Sequence, residues 1–141
     1  MAFDMWLSVD PTATAGTTEV GLFGIGHSGT ATVSYARRAS TGVGIFGWAS
    51  SEGGIGTTGD LGMFIEKTAA FLTGNGANSG LYAQAFPRGS SIANTPNNQW
   101  SQVELIVVGN KVTLFVNGVK FGETTGTAIT NGFASIGYED P

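Results

Sequence analysis

The chain has 141 residues, a net charge of −4 from six basic and ten acidic side chains, 23 glycines and no cysteine. One domain's length with 41% hydrophobic residues excludes a disordered polyampholyte. Six scattered basic residues, of which only Arg37 and Arg38 adjoin, exclude a nucleic-acid surface, the missing cysteine removes disulfides, thiolate metal sites and thiol nucleophiles, and no apolar run reaches the length of a membrane-spanning helix.

Residues 3–9 (FDMWLSV) alternate as a strand, with Phe3, Met5, Leu7 and Val9 on one face and Asp4, Trp6 and Ser8 on the other. Residues 18–26 (TEVGLFGIG) read as a strand thinned by glycine, and His27-Ser28-Gly29 as the turn that ends it. Strands follow over residues 30–36 (TATVSYA), which runs into Arg37-Arg38, and over residues 43–50 (VGIFGWAS), where Phe46 and Trp48 share one face. Residues 60–66 (DLGMFIE) and 81–86 (LYAQAF) complete the middle of the chain as two more strands, separated by the glycine-rich turn of residues 73–80. No stretch keeps a helical period over three turns.

The firmest signal is residues 100–121 (WSQVELIVVGNKVTLFVNGVKF), in which Gly109-Asn110 and Asn117-Gly118 divide β-branched and aliphatic runs. Such dipeptides mark two-residue hairpin turns. With both turns in place Val107 faces Val112, Leu105 faces Leu114, Val103 faces Val116, Val116 faces Val119 and Leu114 faces Phe121. Period-two alternation then puts all of these on one face of a three-stranded meander. Gln102, Glu104, Thr113 and Lys120 fall on the other face, with Ile106, Val108 and Phe115. A lone meander has nothing to bury that face against, so a second layer is required. Ala128-Ile129 and residues 133–138 (FASIGY) bring the count to about ten to twelve short strands, with turns spaced as in an antiparallel sandwich. Without an internal repeat or a linker, the expectation is a single all-β domain, a two-sheet antiparallel sandwich spanning 1–141.

The pattern N-x-x-W-x-x-V-x-L-x-V-x-G-N-x-V-x-L-x-V-N-G, residues 97–118, resembles the late-strand signature of laminin-G-like domains in the concanavalin A-like lectin/glucanase superfamily. Residues 134–138 (ASIGY) look like that family's return strand, and FDMWLSV with TEVGLFGIGHSG is similar to the front of laminin-G-like modules in bacterial surface and secreted proteins. The resemblance implies a jelly roll of two antiparallel sheets whose concave sheet and rim loops bind glycans. It also implies an extracellular or bacterial cell-surface location. Such domains pair their first and last strands near the termini, whereas here a strand begins beside Met1 and the chain stops at residues 139–141. The expectation is a domain of a longer protein, lacking terminal strands or completed by a neighbouring chain.

Chemistry is sparse. Retaining glucanases need two carboxylates about 5 Å apart on one strand face, while the sheet-facing acids here, Glu19, Glu66 and Glu104, lie in different strands. His27, the sole histidine, sits in Gly26-His27-Ser28-Gly29, which is not a nucleophile elbow; it reads as a turn residue bonded to backbone more readily than as a ligand contact. The expectation is therefore a protein that is not an enzyme, with dispersed-acid glycoside hydrolysis as a weak residue. No cofactor is certain. Calcium is a candidate, with Asp10, Asp60, Asn75, Asn78, Glu139 and Asp140 as oxygen donors and no Asp-x-Asp-x-Asp-Gly loop to gather them. Carbohydrate binding needs an aromatic face with amides and guanidinium groups around it. Trp48 with Phe46 is the first platform, followed by Trp6 and Tyr82, and Arg37, Arg38, Arg88, Asn75 and Asn94 supply the rim. Large aromatics are mostly buried, so Trp100, which opens the meander, is assigned to the core. On this reading the site surrounds His27, Trp48 and Arg88 and excludes the meander. The function expected is a recognition module for carbohydrate from an exported bacterial protein. The alternative is a structural or assembly protein whose open sheet edges pair with neighbouring chains.

Overall fold

The computed structural model describes residues 1–8, 20–27, 33–34, 39–40, 45–50, 61–65, 80–87, 96–125 and 131–139. In chain order these form β1 (Ala2–Leu7), β2 (Val20–His27), β3 (Val33–Ser34), β4 (Ala39–Ser40), β5 (Ile45–Ser50), β6 (Leu61–Ile65), α1 (Gly80–Ala85), β7 (Gln99–Val108), β8 (Lys111–Val116), β9 (Val119–Thr125) and β10 (Phe133–Glu139). Two four-stranded antiparallel sheets result, ordered β1-β7-β8-β9 and β10-β2-β5-β6, beside a two-stranded β3-β4 pair. The all-β, two-sheet expectation holds. The first and last strands lie in different sheets and do not pair with each other.

The meander takes the register its turns dictate. Val107 pairs with Val112, Leu105 with Leu114 and Val103 with Val116, and Val116 with Val119. Gly109 has φ 63°, while Asn117 and Gly118 have φ 48° and 76°, the positive angles that two-residue hairpin loops demand. Val103, Leu105, Val112, Leu114, Val116 and Phe121 are buried, and Val107 and Val119 pack against them. One pairing differs from the expected register. Leu114 faces Gly122 rather than Phe121, because a bulge follows the Phe115–Lys120 pair. The additional residue leaves Phe121 in the core and returns Glu123 to the solvent face opposite Thr113. Without it Glu123 would face Val112, and a carboxylate in that position would be desolvated at a cost of several kcal/mol or more.

The second layer is reached through β1 and β2. Met5 and Leu7 of β1 join the core, the Phe3 and Phe23 rings lie 5.6 Å apart, and Phe23 is fully buried. Gly21 leaves room for Met5: a Cβ there would collide with Met5 Sδ.

The strand expected over 81–86 is instead the helical turn α1, which ends at Ala85, with Phe86 just beyond it. Leu81, Ala85 and Phe86 pack on the core while Ala83 and Gln84 are exposed, which is the i, i+4 spacing of a helix face. Leu, Ala and Gln favour helix, and Pro87 disfavours its continuation through Phe86. Of the strand expected over 30–36, Val33–Ser34 are described and form β3, and His27 belongs to β2, paired with Phe133, instead of the turn expected there. The strand placed at Ala128-Ile129 lies outside the described residues.

Candidate functional site

The outer face of the β1-β7-β8-β9 sheet carries the side chains that alternate with the core set. On β1 these are Asp4 and Trp6, and on β7 they are Trp100, Gln102, Glu104, Ile106 and Val108. Trp6 and Trp100 are direct cross-strand partners. Met1 and Leu105 exchange both backbone bonds, Leu105 N donating to Met1 O and the Met1 ammonium to Leu105 O, each at 2.8 Å. Hydrogen-bonded pairs alternate along an antiparallel ladder, so Trp6–Trp100 is a non-bonded pair, the kind in which side chains approach most closely. Their rings stand 5.6 Å apart at 67°, edge to face, with Trp6 48% and Trp100 67% exposed.

The end of the ladder beside these rings is closed by polar contacts. Ser8 Oγ donates to Asn98 Oδ1 at 2.6 Å, Asn98 N donates to Leu7 O at 2.8 Å, and Asn97 is buried against Leu7. Asn98 takes a positive φ of 54°, which asparagine tolerates better than most residues.

Beyond the rings the rows continue as Asp4 opposite Gln102 and Ala2 opposite Glu104. Asp4 and Glu104 are therefore diagonal neighbours, about 7–8 Å apart at Cα. Two carboxylates and an amide border an aromatic corner. An indole offers a flat apolar face to the C–H side of a sugar ring, and the carboxylates and amide match its hydroxyls. At 67° the two rings cannot form one flat platform; only one of them could present its face to a sugar ring while the other walls the corner.

Trp100 thus contradicts its assignment to the core. The residues near it are fixed by alternation: Ser101, Val103 and Leu105 are buried, so Trp100 must point the other way. His27, 3% exposed, is buried at the end of β2 and presents no open contact surface. Phe46 and Trp48 lie on β5, inside the other sheet, where their backbones pair with Gly24 and Phe64 and with Leu22 and Gly62. Their side chains, and that of Tyr82 in α1, lie outside the described set, as do Arg37, Arg38, Asn75, Arg88 and Asn94 altogether. The calcium donors fare alike: Glu139 is described in its backbone only, and Asp10, Asp60, Asn75, Asn78 and Asp140 not at all. Among the described residues no group of three or more His, Asp or Glu side chains is placed to hold a metal ion, and no helix is long and apolar enough to cross a membrane.

Comparison with family models, with curated proteins and with solved structures finds no match to this chain.

Proposed function

We propose that this chain is a non-catalytic, laminin-G-like jelly-roll module of an exported bacterial protein that recognises carbohydrate through the outer face of the β1-β7-β8-β9 sheet. The observation that carries the reading is the exposed Trp6–Trp100 pair. Neighbouring large aromatics left in water are a cost that a binding surface offsets when occupied. Asp4, Gln102 and Glu104 give the pair the polar border that a sugar needs and an apolar partner does not. The hairpin pattern of residues 97–118 and the two antiparallel sheets support the family assignment.

The test is a glycan array followed by calorimetry on each polysaccharide retained. Trp100→Ala and Trp6→Ala each weaken binding about tenfold or more, tenfold being about 1.4 kcal/mol, with the melting temperature little changed because both rings are solvent-facing. Binding that survives both substitutions and disappears in Trp48→Ala would move the site to the other sheet. Failure of every polysaccharide to bind would overturn the proposal.

A further inference from the structure

Ile136 and Tyr138 of β10 pair with Phe23 and Gly21 of β2, and paired residues point to the same side of a sheet. Phe23 and Gly21 are the residues on which Phe3 and Met5 rest. Ile136 and Tyr138 therefore face the interior side of the sandwich, yet they are 65% and 60% exposed. The reason is an offset between the layers. β1, the edge of its sheet, lies over β2, and β10 extends one strand further with no strand above it among the described residues. A cavity of about 130 Å³ opens in the step, lined by β1, β2 and β10, with Phe3, Leu22, Ile136 and Tyr138 in its wall.

Among the described residues no strand pairs with the β1 edge above that step. Its odd-numbered residues bond to β7, so the N–H and C=O groups of Ala2, Asp4 and Trp6 point away from the sheet. The opposite edge of the same sheet, β9, is blunted by a bulge and by Lys120 and Glu123, devices that discourage edge pairing. β1 has no bulge and only Asp4, and from Phe133 to Tyr138 β10 carries no charge.

We infer that a second copy of this chain fills the step, by a two-fold axis running along the strands midway between the layers at β10. The shape is self-complementary. Rotation about that axis carries β10 of the partner into the position beside β1 that no described strand occupies, directly over β10 of the first copy. Two continuous sheets form, each ordered β9-β8-β7-β1 followed by β10-β2-β5-β6 of the partner, and none of the described strands is displaced. Phe3 runs to Met5 as Phe23 runs to Gly21, so β1 and β2 are antiparallel and β1 joins the partner's β10 in parallel. A two-fold axis has no translation along itself, which fixes the register. Ile136 meets the partner's Ile136 across the layers, Tyr138 meets the partner's Tyr138, and Asp4 lies beside the partner's Gly137 on the outer surface.

The area supports a real interface. Aromatic side chains bury about 150–250 Å² each when fully covered, and Tyr138 and the smaller Ile136 have 60% and 65% of their surface left to cover. Ile136 and Tyr138, with two strand edges from each copy, give on the order of several hundred Å² per copy, toward the ~800 Å² of a standard interface. The inward side chains at the joint are uncharged, as interface centres are, and the interface is isologous, as most homodimers are.

Sedimentation equilibrium on the whole chain is expected to show a concentration-dependent dimer. Ile136→Lys weakens it about a hundredfold or more by burying an unpaired charge, with an unchanged circular dichroism spectrum because position 136 is exposed in the monomer. The chain has no cysteine, which allows a second, register-specific test. Asp4→Cys with Gly137→Cys forms a disulfide between copies and none within a copy, where the two positions sit on opposite outer faces. A Cβ at 137 meets Leu22 Cβ at 3.7 Å, an ordinary contact. A monomer at high concentration, a dimer indifferent to Ile136→Lys, or a cysteine pair that stays reduced in the dimer would each overturn the inference. So would a monomer that takes up an added apolar strand peptide, which would make a foreign strand the occupant.

Discussion

Asn117 joins two parts of the molecule that are distant in sequence. Its backbone supplies the first positive φ of the β8–β9 turn, its Oδ1 accepts from Gln102 N at 2.8 Å, and its Nδ2 donates to Ala85 O at 3.0 Å at the end of α1. These roles separate by substitution. Asn117→Gly keeps the backbone conformation and loses both side-chain bonds, for about 1–3 kcal/mol. Asn117→Ala loses the same bonds and adds about 1–2 kcal/mol of left-handed strain. Urea denaturation of the two variants should rank them wild type, Gly, Ala; equal stability of Gly and Ala would remove the turn from the account. The residues of the candidate site teach a related point. Trp100 was legible as an outer-face residue from the alternation of Ser101, Val103 and Leu105, just as Trp6 was from Met5 and Leu7. The average burial of tryptophan points the other way and is the weaker rule, because a strand with one buried face leaves no choice of side. His27 failed for a different reason. A histidine between glycines and a serine has the composition of a turn, and only its pairing with Phe133, more than a hundred positions away, makes it the end of a strand.

Among the elements, β9 shows what turn chemistry fixes and what it leaves open. The Asn117-Gly118 loop sets the first pairs, and the register would then place Glu123 against Val112. The bulge removes that conflict, and no local signal marks where the additional residue enters. Helix α1 was hidden in the same manner, since LYAQAF alternates well enough for a strand and its i, i+4 face is defined by the core it meets. Once outside, Glu123 lies between Lys111 Nζ and Lys120 Nζ, 2.7 Å from each. Hydrogen bonds to the Lys111 and then the Lys120 ammonium lower its pKa from 4.5 to about 2. A carboxylate whose pKa is lower in the folded state favours folding above its unfolded value, and loses that contribution as pH falls through the folded one. The stability difference between wild type and Glu123→Gln is therefore expected to be constant above pH 4.5 and to shrink between pH 4.5 and about 2. Because the two lysines are exposed and Glu123 is half-buried at the surface, the difference is small and is further reduced by salt. Urea midpoints of the two proteins across that range measure it, and a difference that grows toward acid would refute the assignment.

At the scale of the whole molecule, the two sheets depend on how β1 seats on β2, since Phe3–Phe23 and Met5–Gly21 are where the layers touch at the open side of the sandwich. A strand rich in apolar residues gains nothing locally from glycine at position 21, which costs backbone entropy and packs no side chain. The close approach of Met5 accounts for it. Gly21→Val places a branched side chain where Met5 Sδ lies, and overpacking of this kind costs about 1–3 kcal/mol. Met5→Ala alone removes a side chain of the core cluster and leaves a cavity, at about 2–5 kcal/mol. In the double variant the valine occupies the space that Met5 vacates. The cost of the double variant is then expected to fall short of the sum of the two single costs by about 1 kcal/mol or more, the non-additivity of residues that share one space. Urea denaturation of the wild type, both single variants and the double variant closes the cycle. Additive costs would mean that β1 does not rest on Gly21, and the offset between the layers, with the step that exposes Ile136 and Tyr138, would lose its structural basis.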